Sequence, residues 1–198
     1  MVMSKIYYCY LASPIGQLML VGDGENLTGL YLPNHKGVSN PDANWREATS
    51  PFADVSHQLS QYFEGQRQTF DLQLKPVGTP FQQQVWQELV EIPFGTTITY
   101  AQLAQRIGRH SASRAVGHAN SRNPISIVVP CHRVIGADGK LTGYAGGLDK
   151  KRWLLDFEGT VTGGEQRNLF TDQPPANVTV DHLIVSRDPN CSLSSVKS

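Results

Sequence analysis

Residues suited to covalent chemistry lie together in the run Pro130-Cys131-His132-Arg133-Val134, which follows the apolar segment 127–129. Cysteine reacts as its thiolate, and a neighbouring base or cation favours loss of the thiol proton. The run therefore predicts a cysteine nucleophile beside a histidine base. The competing interpretation is a buried, inert cysteine at the end of a strand, because free cysteines are among the most buried residue types.

Loss of the thiol proton does not by itself explain a fast reaction at such a cysteine. A fall in the thiol pKa from about 8.5 to about 6.5 raises the thiolate fraction at pH 7 by more than about tenfold. With a Brønsted slope of about 0.4–0.5, the same fall costs the thiolate roughly tenfold in nucleophilicity. Because the two effects nearly cancel, we expect the rate to depend mainly on holding the electrophile in line with the sulfur.

The positive charge of the chain is concentrated around this run. The 198 residues include 17 basic and 17 acidic side chains, a formal net charge of zero. No acidic residue occurs between residues 92 and 137, and this window holds five arginines: Arg106, Arg109, Arg114, Arg122 and Arg133. Such a cluster is typical of a surface that binds nucleic-acid phosphates. Charge alone leaves open the alternative of a solvated helix face that lacks acids by chance.

The elements that must position these residues show mostly helical spacing. Helices are predicted at Phe81–Ile92, from Thr99 to about Ile107, from Ser111 or Ser113 to about Asn120, and at Lys150–Phe157. Thr99 and Gln102 form a capping box, and Gly108 lies in the turn after that helix. Two short helices joined in this way predict a helix-turn-helix unit. The apolar segment Ser126–Val129 predicts a buried strand or extended segment.

The chain before residue 76 has the pattern of a small sheet with one helix. Strands are predicted at Lys5–Leu11, Gln17–Val21 and Leu27–Leu32, a further alternating segment at Thr69–Leu74, a helix at Ala53–Phe63 and a surface loop at 33–50. Turn residues separate the first three strands, which predicts an antiparallel meander. Residues 76–80 have the composition of a linker. The predicted domains are therefore residues 1–75 and 81–160, followed by an appended tail at 163–198.

The run Pro130–Val134 is similar to the active-site signature of the O6-alkylguanine-DNA alkyltransferase family. Further blocks follow the order and spacing of that family: Phe94-Gly95 with Thr99-Tyr100, Ser113–Gly117, Asn123-Pro124, Gly143–Gly147 and Trp153–Gly159. The resemblance is dense over residues 81–159, loose before them and absent from the tail. It implies an α/β (α+β) fold, in which a small ribonuclease H-like domain with an antiparallel sheet and a helix precedes a helical, winged-helix-like DNA-binding domain.

The resemblance also implies a reaction and the residues that perform it. Cys131 would take the alkyl group from O6-alkylguanine in double-stranded DNA and keep it, so that each protein molecule acts once. His132 would be the base, reached through a water molecule, and Glu158 would orient its imidazole. Asn123 would brace the active-site turn. Tyr100 would press on the phosphate 3′ to the target and protonate the departing guanine.

A guanine inside a duplex cannot reach a buried thiol, so the resemblance implies that the nucleotide is flipped out of the stack. The second helix of the helix-turn-helix unit would lie in the minor groove, where readout depends little on sequence. Arg114 would fill the space left by the flipped base, and the small residues Ala115 and Gly117 would allow close approach. The predicted DNA-binding set is Arg114, Tyr100, Ala115, Gly117, Asn120 and Arg122.

The implied base pocket recognises guanine mostly through the main chain. The carbonyls of Cys131 and Val134 would accept from the exocyclic amine, and the N–H of Ala145 would donate to O6. Tyr144 would form a wall of the pocket. Asn120 is a departure, because the family often has a larger side chain at that position of the helix.

No metal and no cofactor are predicted. The three cysteines, Cys9, Cys131 and Cys191, are far apart, and only Cys9 lies in the domain where some members of the family bind zinc. The sequence shows no signal peptide and no apolar run of membrane-spanning length, so a cytoplasmic protein with no membrane association is expected. We expect a monomer with no obligate protein partner.

Three other functions differ from this interpretation in one feature each. A non-catalytic sensor of alkylated DNA shares the helix-turn-helix unit but lacks the nucleophilic cysteine, which is present here as Cys131. A cysteine hydrolase leaves the acid-free arginine window unexplained. A transcription regulator with a structural cysteine would be expected to carry a second DNA-binding signature, and none occurs before residue 81.

Overall fold

The computed structural model describes residues 5–35 and 41–163. The predicted tail, from residue 164 onward, lies outside the described residues, as do residues 36–40 of the predicted loop. Within the described ranges, no helix has the length and apolar character needed to cross a membrane.

The N-terminal part of the chain forms a four-stranded sheet with one helix. Strands β1 (Tyr7–Leu11), β2 (Leu18–Gly22), β3 (Leu27–Tyr31) and β4 (Arg46–Glu47) lie in the order β3-β2-β1-β4. The first three form the antiparallel meander that the turn residues predict, while β4, inside the predicted loop, pairs parallel to β1. Helix α1 (Ala53–Phe63) has its predicted bounds, and its side chains at helical spacing, such as Val55, Leu59 and Tyr62, are buried.

The alternating segment at 69–74 is not a strand, contrary to the prediction. Its backbone pairs with the sheet at a single bridge among the described residues, between Leu74 and Leu27. Nearer its middle, the side-chain amide of Gln58 bonds both the carbonyl and the N–H of Asp71, at 2.8 and 2.9 Å. The Gln58 side chain thus satisfies the backbone groups that a neighbouring strand would otherwise pair. Alternation in the sequence cannot reveal that a side chain takes the place of a strand.

The C-terminal part is mainly helical. Its elements are α2 (Pro80–Val90), β5 (Ile98–Thr99), α3 (Tyr100–Arg106), α4 (Ser113–Ser121), β6 (Val134–Ile135) and α5 (Leu148–Val161), with β5 and β6 paired in parallel. The predicted capping box of Thr99 and Gln102 is present, and a second one at Thr79 begins α2. Helices α3 and α4 pack together across the turn around Gly108 and form the predicted helix-turn-helix unit.

The segment 126–129, predicted to be a strand or extended, is a buried turn. Ile127 has a φ of 71°, and its side chain is fully buried. Its backbone bonds are local, for example from the N–H of Val129 to the carbonyl of Ile125. A run of buried apolar residues has no period that separates a strand from a turn, so the pattern was insufficient here.

The two parts of the chain share one continuous hydrophobic core. Strand β3 holds the turn at 124–126, because Leu30 donates to the carbonyl of Pro124 at 2.8 Å and accepts from the N–H of Ser126 at 3.0 Å. A second contact between the two parts is aromatic: the ring of Tyr62 in α1 packs against those of Phe94 and Phe157. The division into domains at residues 76–80 stays a prediction.

Candidate active site

Cys131 lies at the start of a 3-10 turn, residues 131–133, and is 4% exposed. Its Sγ accepts a hydrogen bond of 3.1 Å from Nδ2 of Asn123. The same amide donates to the carbonyl of Val129 at 2.8 Å, and its oxygen accepts from the N–H of Ile125 at 3.0 Å. Asn123 therefore contacts both the turn before the cysteine and the cysteine itself, which is the position of a brace.

His132 and Glu158 form a fully buried pair. Nε2 of the imidazole lies 2.9 Å from Oε1 of the carboxylate. Burial lowers the pKa of His132 below its usual value, although Glu158 opposes this shift. In the neutral ring, a proton on Nε2 that is donated to Glu158 leaves a lone pair on Nδ1. That nitrogen has no hydrogen-bond partner among the described protein atoms, so it is free to accept a proton.

Burial raises the pKa of the Cys131 thiol, while the hydrogen bond from Asn123 and the charge of Lys151 act in the opposite direction. The thiol is therefore protonated at neutral pH in the free protein. Since His132 is neutral at the same pH, the resting site is a thiol beside a neutral imidazole rather than a preformed ion pair. The thiolate has to form as the proton moves to the base, when the electrophile is in place.

Arg133 is buried and is not part of a phosphate-binding surface, which corrects its place in the arginine window. Its Nε and Nη2 donate to both oxygens of Glu158, each at 2.9 Å, and Nη1 donates to the carbonyl of Ile92 at 2.6 Å. The guanidinium lies 5.6 Å from the centre of the Phe94 ring. A buried carboxylate needs a paired charge, and Arg133 supplies it.

Glu158 is ionised in this setting. Burial by itself raises its pKa, but the charges and hydrogen bonds of His132 and Arg133 lower the pKa far below its usual value. The carboxylate can therefore hold the imidazole in one tautomer without taking its proton.

Lys151 is a buried residue of this site that the sequence analysis missed. Its Nζ donates to the carbonyls of Val134 and Thr142, at 2.6 and 2.9 Å, and lies 6.0 Å from the centre of the Tyr100 ring. Burial lowers the pKa of Lys151 to about 8, and attraction to the Cys131 sulfur opposes the shift. The spacing 151, 154, 158 places Lys151 on the buried face of α5, which is the signal that was available.

The predicted base pocket has its two carbonyls already in use. Val134 accepts from Lys151, and the carbonyl of Cys131 accepts from Nδ2 of Asn120 at 3.3 Å. A carbonyl oxygen has two lone pairs. The Cys131 carbonyl also accepts from the backbone N–H of Val134, so both of its lone pairs are in use and a bond to guanine would have to replace one of these donors. Tyr144 is buried, and Ala145 is half-buried between glycines at positive φ, Gly143 and Gly147. The roles of these residues toward guanine stay predictions.

Asn120 is 2% exposed and belongs to the buried residues of α4, together with Val116 and Ala119. The resemblance lists Asn120 among the residues that contact DNA, and that role stays a prediction. In this structure the side-chain amide is used inside the protein, on the Cys131 carbonyl.

The outer face of the helix-turn-helix unit carries the remaining predicted DNA contacts. Arg114, Ala115 and Arg122 are exposed, and Gly117 is half-buried beside the Tyr100 ring. The Tyr100 hydroxyl donates to the carbonyl of Thr142 at 3.2 Å, which links the start of α3 to the loop before α5. Within residues 5–35 and 41–163, no group of three or more metal-ligating side chains occurs.

Fold and site together define a helix-turn-helix protein whose chemistry takes place at a cysteine. The chain matches two family models, "6-O-methylguanine DNA methyltransferase, ribonuclease-like domain" over residues 6–76 and "6-O-methylguanine DNA methyltransferase, DNA binding domain" over residues 80–160. The chain belongs to this 6-O-methylguanine DNA methyltransferase family, as the resemblance predicted.

Known relatives agree with this membership. The methylated-DNA–protein-cysteine methyltransferase of Methanosarcina acetivorans is 52% identical over 156 residues, which are 78% of this chain and 99% of that protein. The O6-methylguanine methyltransferase of Mycobacterium tuberculosis has a similar structure, with a TM-score of 0.73 and 46% identity over 78% of this chain and 93% of that chain. The Mycobacterium tuberculosis protein in complex with DNA gives a TM-score of 0.74, with 46% identity over 78% of this chain and 94% of that one.

We expect Lys151→Met to slow alkyl transfer to Cys131 by roughly tenfold or more. The change keeps the length of the side chain but removes the charge that favours the thiolate, and it leaves two carbonyls without their donor. Rapid-quench kinetics and thermal unfolding measure the two effects. Lys150→Met is the matched control, because the bond that Lys150 makes within the described part of the chain is to its neighbour Asp149, at 3.4 Å. Equal rates in the two variants would contradict a role for the buried ammonium.

Proposed function

We propose that Cys131 is the residue that receives the alkyl group when this protein repairs O6-alkylguanine in DNA. Membership of the family and the relatives named methylated-DNA–protein-cysteine methyltransferase support this reaction, and a similar structure is a complex with DNA. One observation carries the choice of residue. Cys131 is the described cysteine that adjoins, in sequence, the His132 of a buried imidazole–carboxylate pair and whose sulfur accepts from Asn123, whereas Cys9 lies in strand β1 of the sheet.

The proposed reaction is an in-line displacement at the alkyl carbon. The thiol proton moves to Nδ1 of His132, directly or through water, while Sγ forms a bond to carbon and the bond from carbon to O6 breaks. The electron pair of that bond stays on the base, which takes up one proton and becomes guanine. Thiol and O6-alkylguanine thus give thioether and guanine, with no oxidant, metal or second substrate.

A thioether is a poor electrophile, and none of the described residues is placed to attack it. We therefore propose that each molecule acts once. We also propose that it acts as a monomer, without an obligate protein partner. Tyr100 is the proposed proton donor to guanine, because it begins α3 of the helix-turn-helix unit and its hydroxyl donates to the carbonyl of Thr142, which also accepts from Lys151 of the site. Burial raises the pKa of Tyr100, so it stays protonated and able to donate.

The test of this function is intact-mass spectrometry of the protein mixed with excess duplex that contains one O6-methylguanine. We expect a gain of one methylene mass, at one equivalent per protein, and peptide mapping should place it on Cys131. An undamaged duplex of the same sequence is the control. A protein that binds the damaged duplex selectively but gains no mass would be a sensor. Absence of both effects would contradict the proposed function as a whole.

We expect Arg114→Ala to slow repair of duplex DNA by about tenfold or more, with a smaller loss on a single-stranded substrate. Flipping a base out of a duplex costs a few kcal/mol, about what a side chain that fills the gap can offset, and a single strand needs no such extrusion. Arg122→Ala is the matched control, because Arg122 lies exposed at the other end of α4. Removal of an ordinary phosphate contact would lower the rate of repair by similar factors on both substrates. An equal loss of rate for Arg114→Ala would therefore contradict its role as a finger that fills the gap.

A further inference from the structure

We propose that Tyr62, in the predicted N-terminal domain, is a positioning residue for alkyl transfer, because its hydroxyl fixes the carboxylate of Glu158 that orients His132. The inference rests on the proposed function and extends the site to a helix, α1, that carries none of the reacting groups. It therefore gives the N-terminal part of the chain a defined task in the reaction.

The geometry around Glu158 is the basis of this inference. The carboxylate accepts from five donor atoms: Tyr62 Oη, Gly95 N, His132 Nε2, Arg133 Nε and Arg133 Nη2. The Tyr62 hydroxyl and His132 Nε2 share one oxygen, Oε1, at 2.8 and 2.9 Å. All three side chains of that contact are fully buried. A movement of the hydroxyl is therefore transmitted to the imidazole through a single atom.

Packing alone does not require a hydroxyl at this position. Four aromatic rings surround that of Tyr62, with centroids at 5.2 to 5.8 Å: Phe63, Phe70, Phe94 and Phe157. A phenylalanine would fill the same space without the cost of burying a polar group. Among the residues that the structure describes, the hydroxyl is compensated by its bond to Glu158 alone, so its presence points to a function at the carboxylate.

The hydroxyl is a permanent donor to Oε1. Burial and the negative charge of Glu158 raise the pKa of Tyr62 well above its usual value, so it does not ionise near neutral pH. Together with the Arg133 guanidinium, which also donates to Oε1, the hydroxyl draws charge away from the bond to His132 and limits how strongly the carboxylate stabilises the protonated imidazole. The other charges that act on this ring are those of Arg133 and Lys151, both of which favour the neutral form. Tyr62 thus helps to keep Nδ1 ready to accept the thiol proton.

The test is Tyr62→Phe, which removes one oxygen atom. We expect the rate of alkyl transfer to fall by about three- to tenfold on the acidic limb of the pH–rate profile, where more of His132 is then protonated, and to change little above it. With one donor fewer, Glu158 stabilises protonated His132 more strongly, so the pKa of His132 rises. Because the reaction needs neutral His132, the acidic limb of the pH–rate profile should move to higher pH, by about half a unit to one unit. An unchanged profile would overturn the inference.

Two control variants separate the hydroxyl from the ring. Phe70→Leu loosens the packing around the Tyr62 ring but keeps the hydroxyl, and should lower the melting temperature without moving the acidic limb. Tyr8→Phe removes an exposed hydroxyl that lies 3.4 Å from Glu47, and should change neither the melting temperature nor the acidic limb. If Phe70→Leu moved the limb as far as Tyr62→Phe does, the effect would belong to packing, and the inference would fail.

A measurement without DNA separates this inference from the proposed function. The imidazole of His132 can be titrated by nitrogen-15 NMR in the free wild-type protein and in Tyr62→Phe. We expect a higher pKa in the variant. If the wild-type protein gained no methyl group, the proposed function would fail, while this titration would still decide whether Tyr62 acts on His132. Equal titration curves would overturn the inference, even in a protein that repairs DNA normally.

Discussion

Cys131→Ser should lose alkyl transfer by at least about 10⁴-fold while it still binds a duplex that contains O6-methylguanine. Serine keeps an acceptor for the Asn123 amide, which lies 3.1 Å from Sγ, so the brace on the turn should survive. The hydroxyl, however, is a far weaker acid than the thiol. A neutral, buried His132 cannot remove its proton at a useful rate, and the alkoxide equivalent of the thiolate does not form.

The measurement pairs rapid-quench alkyl transfer with fluorescence anisotropy on the same labelled duplex. Cys9→Ser is the matched control, since it makes the same change at a buried cysteine of strand β1. We expect normal alkyl transfer by the folded fraction of that variant. Mass gain in Cys131→Ser, or its loss in folded Cys9→Ser, would show that the nucleophile is misassigned. Loss of binding as well as transfer in Cys131→Ser would show that the thiol also has a structural role.

Local sequence carries most of the chemical identity of this site. The thiol and the imidazole are adjacent, so no fold is needed to bring Cys131 near His132. Thr99 and Gln102 interact within one turn, and their capping box occurs as predicted. Glu158, 26 residues further along, could be included only through the resemblance, because spacing in a sequence does not reveal which distant acid meets a given base.

The features that could not be predicted all depend on what a side chain meets after folding. Arg133 and Lys151 have residue types that are usually exposed, and their burial follows from partners brought in by other segments. The bond from Tyr62 to Glu158 joins residues 96 positions apart. Ile127 adopts a positive φ that its β-branched side chain disfavours locally, and the tertiary contacts of the turn maintain it.

Glu158→Gln should produce the other large effect, on stability as well as on rate. The variant leaves the Arg133 guanidinium buried without its counter-ion, and removal of one partner from a buried pair costs about 3–5 kcal/mol. Chemical denaturation measures this loss. The sign of its pH dependence follows from the lowered pKa of Glu158. Its stabilising effect is complete above the unfolded-state value of about 4.3 and declines as the pH falls below it, so the gap between wild type and variant should narrow in acid.

The effect on rate has a separate cause. A glutamine amide that turns its NH₂ group toward His132 donates to Nε2, so the ring must carry its proton on Nδ1. Nδ1 then carries a hydrogen and cannot accept the thiol proton. The comparable loss of the correct tautomer in a serine protease lowers turnover by about 10⁴-fold. We expect a loss of about 10³-fold or more here, because the site depends on the same division of labour between carboxylate and imidazole.

A double variant, Arg133→Met with Glu158→Gln, distinguishes the two causes. Methionine removes the uncompensated charge from the core and fills much of the same volume, so the free energy of unfolding should recover by at least about 2 kcal/mol relative to Glu158→Gln. The rate of alkyl transfer should stay as low as in the single variant, because the wrong tautomer remains. Recovery of the rate along with stability would mean that Glu158 acts only by neutralising Arg133. That result would remove it from the proton-transfer path and leave Cys131 and His132 as the reacting pair.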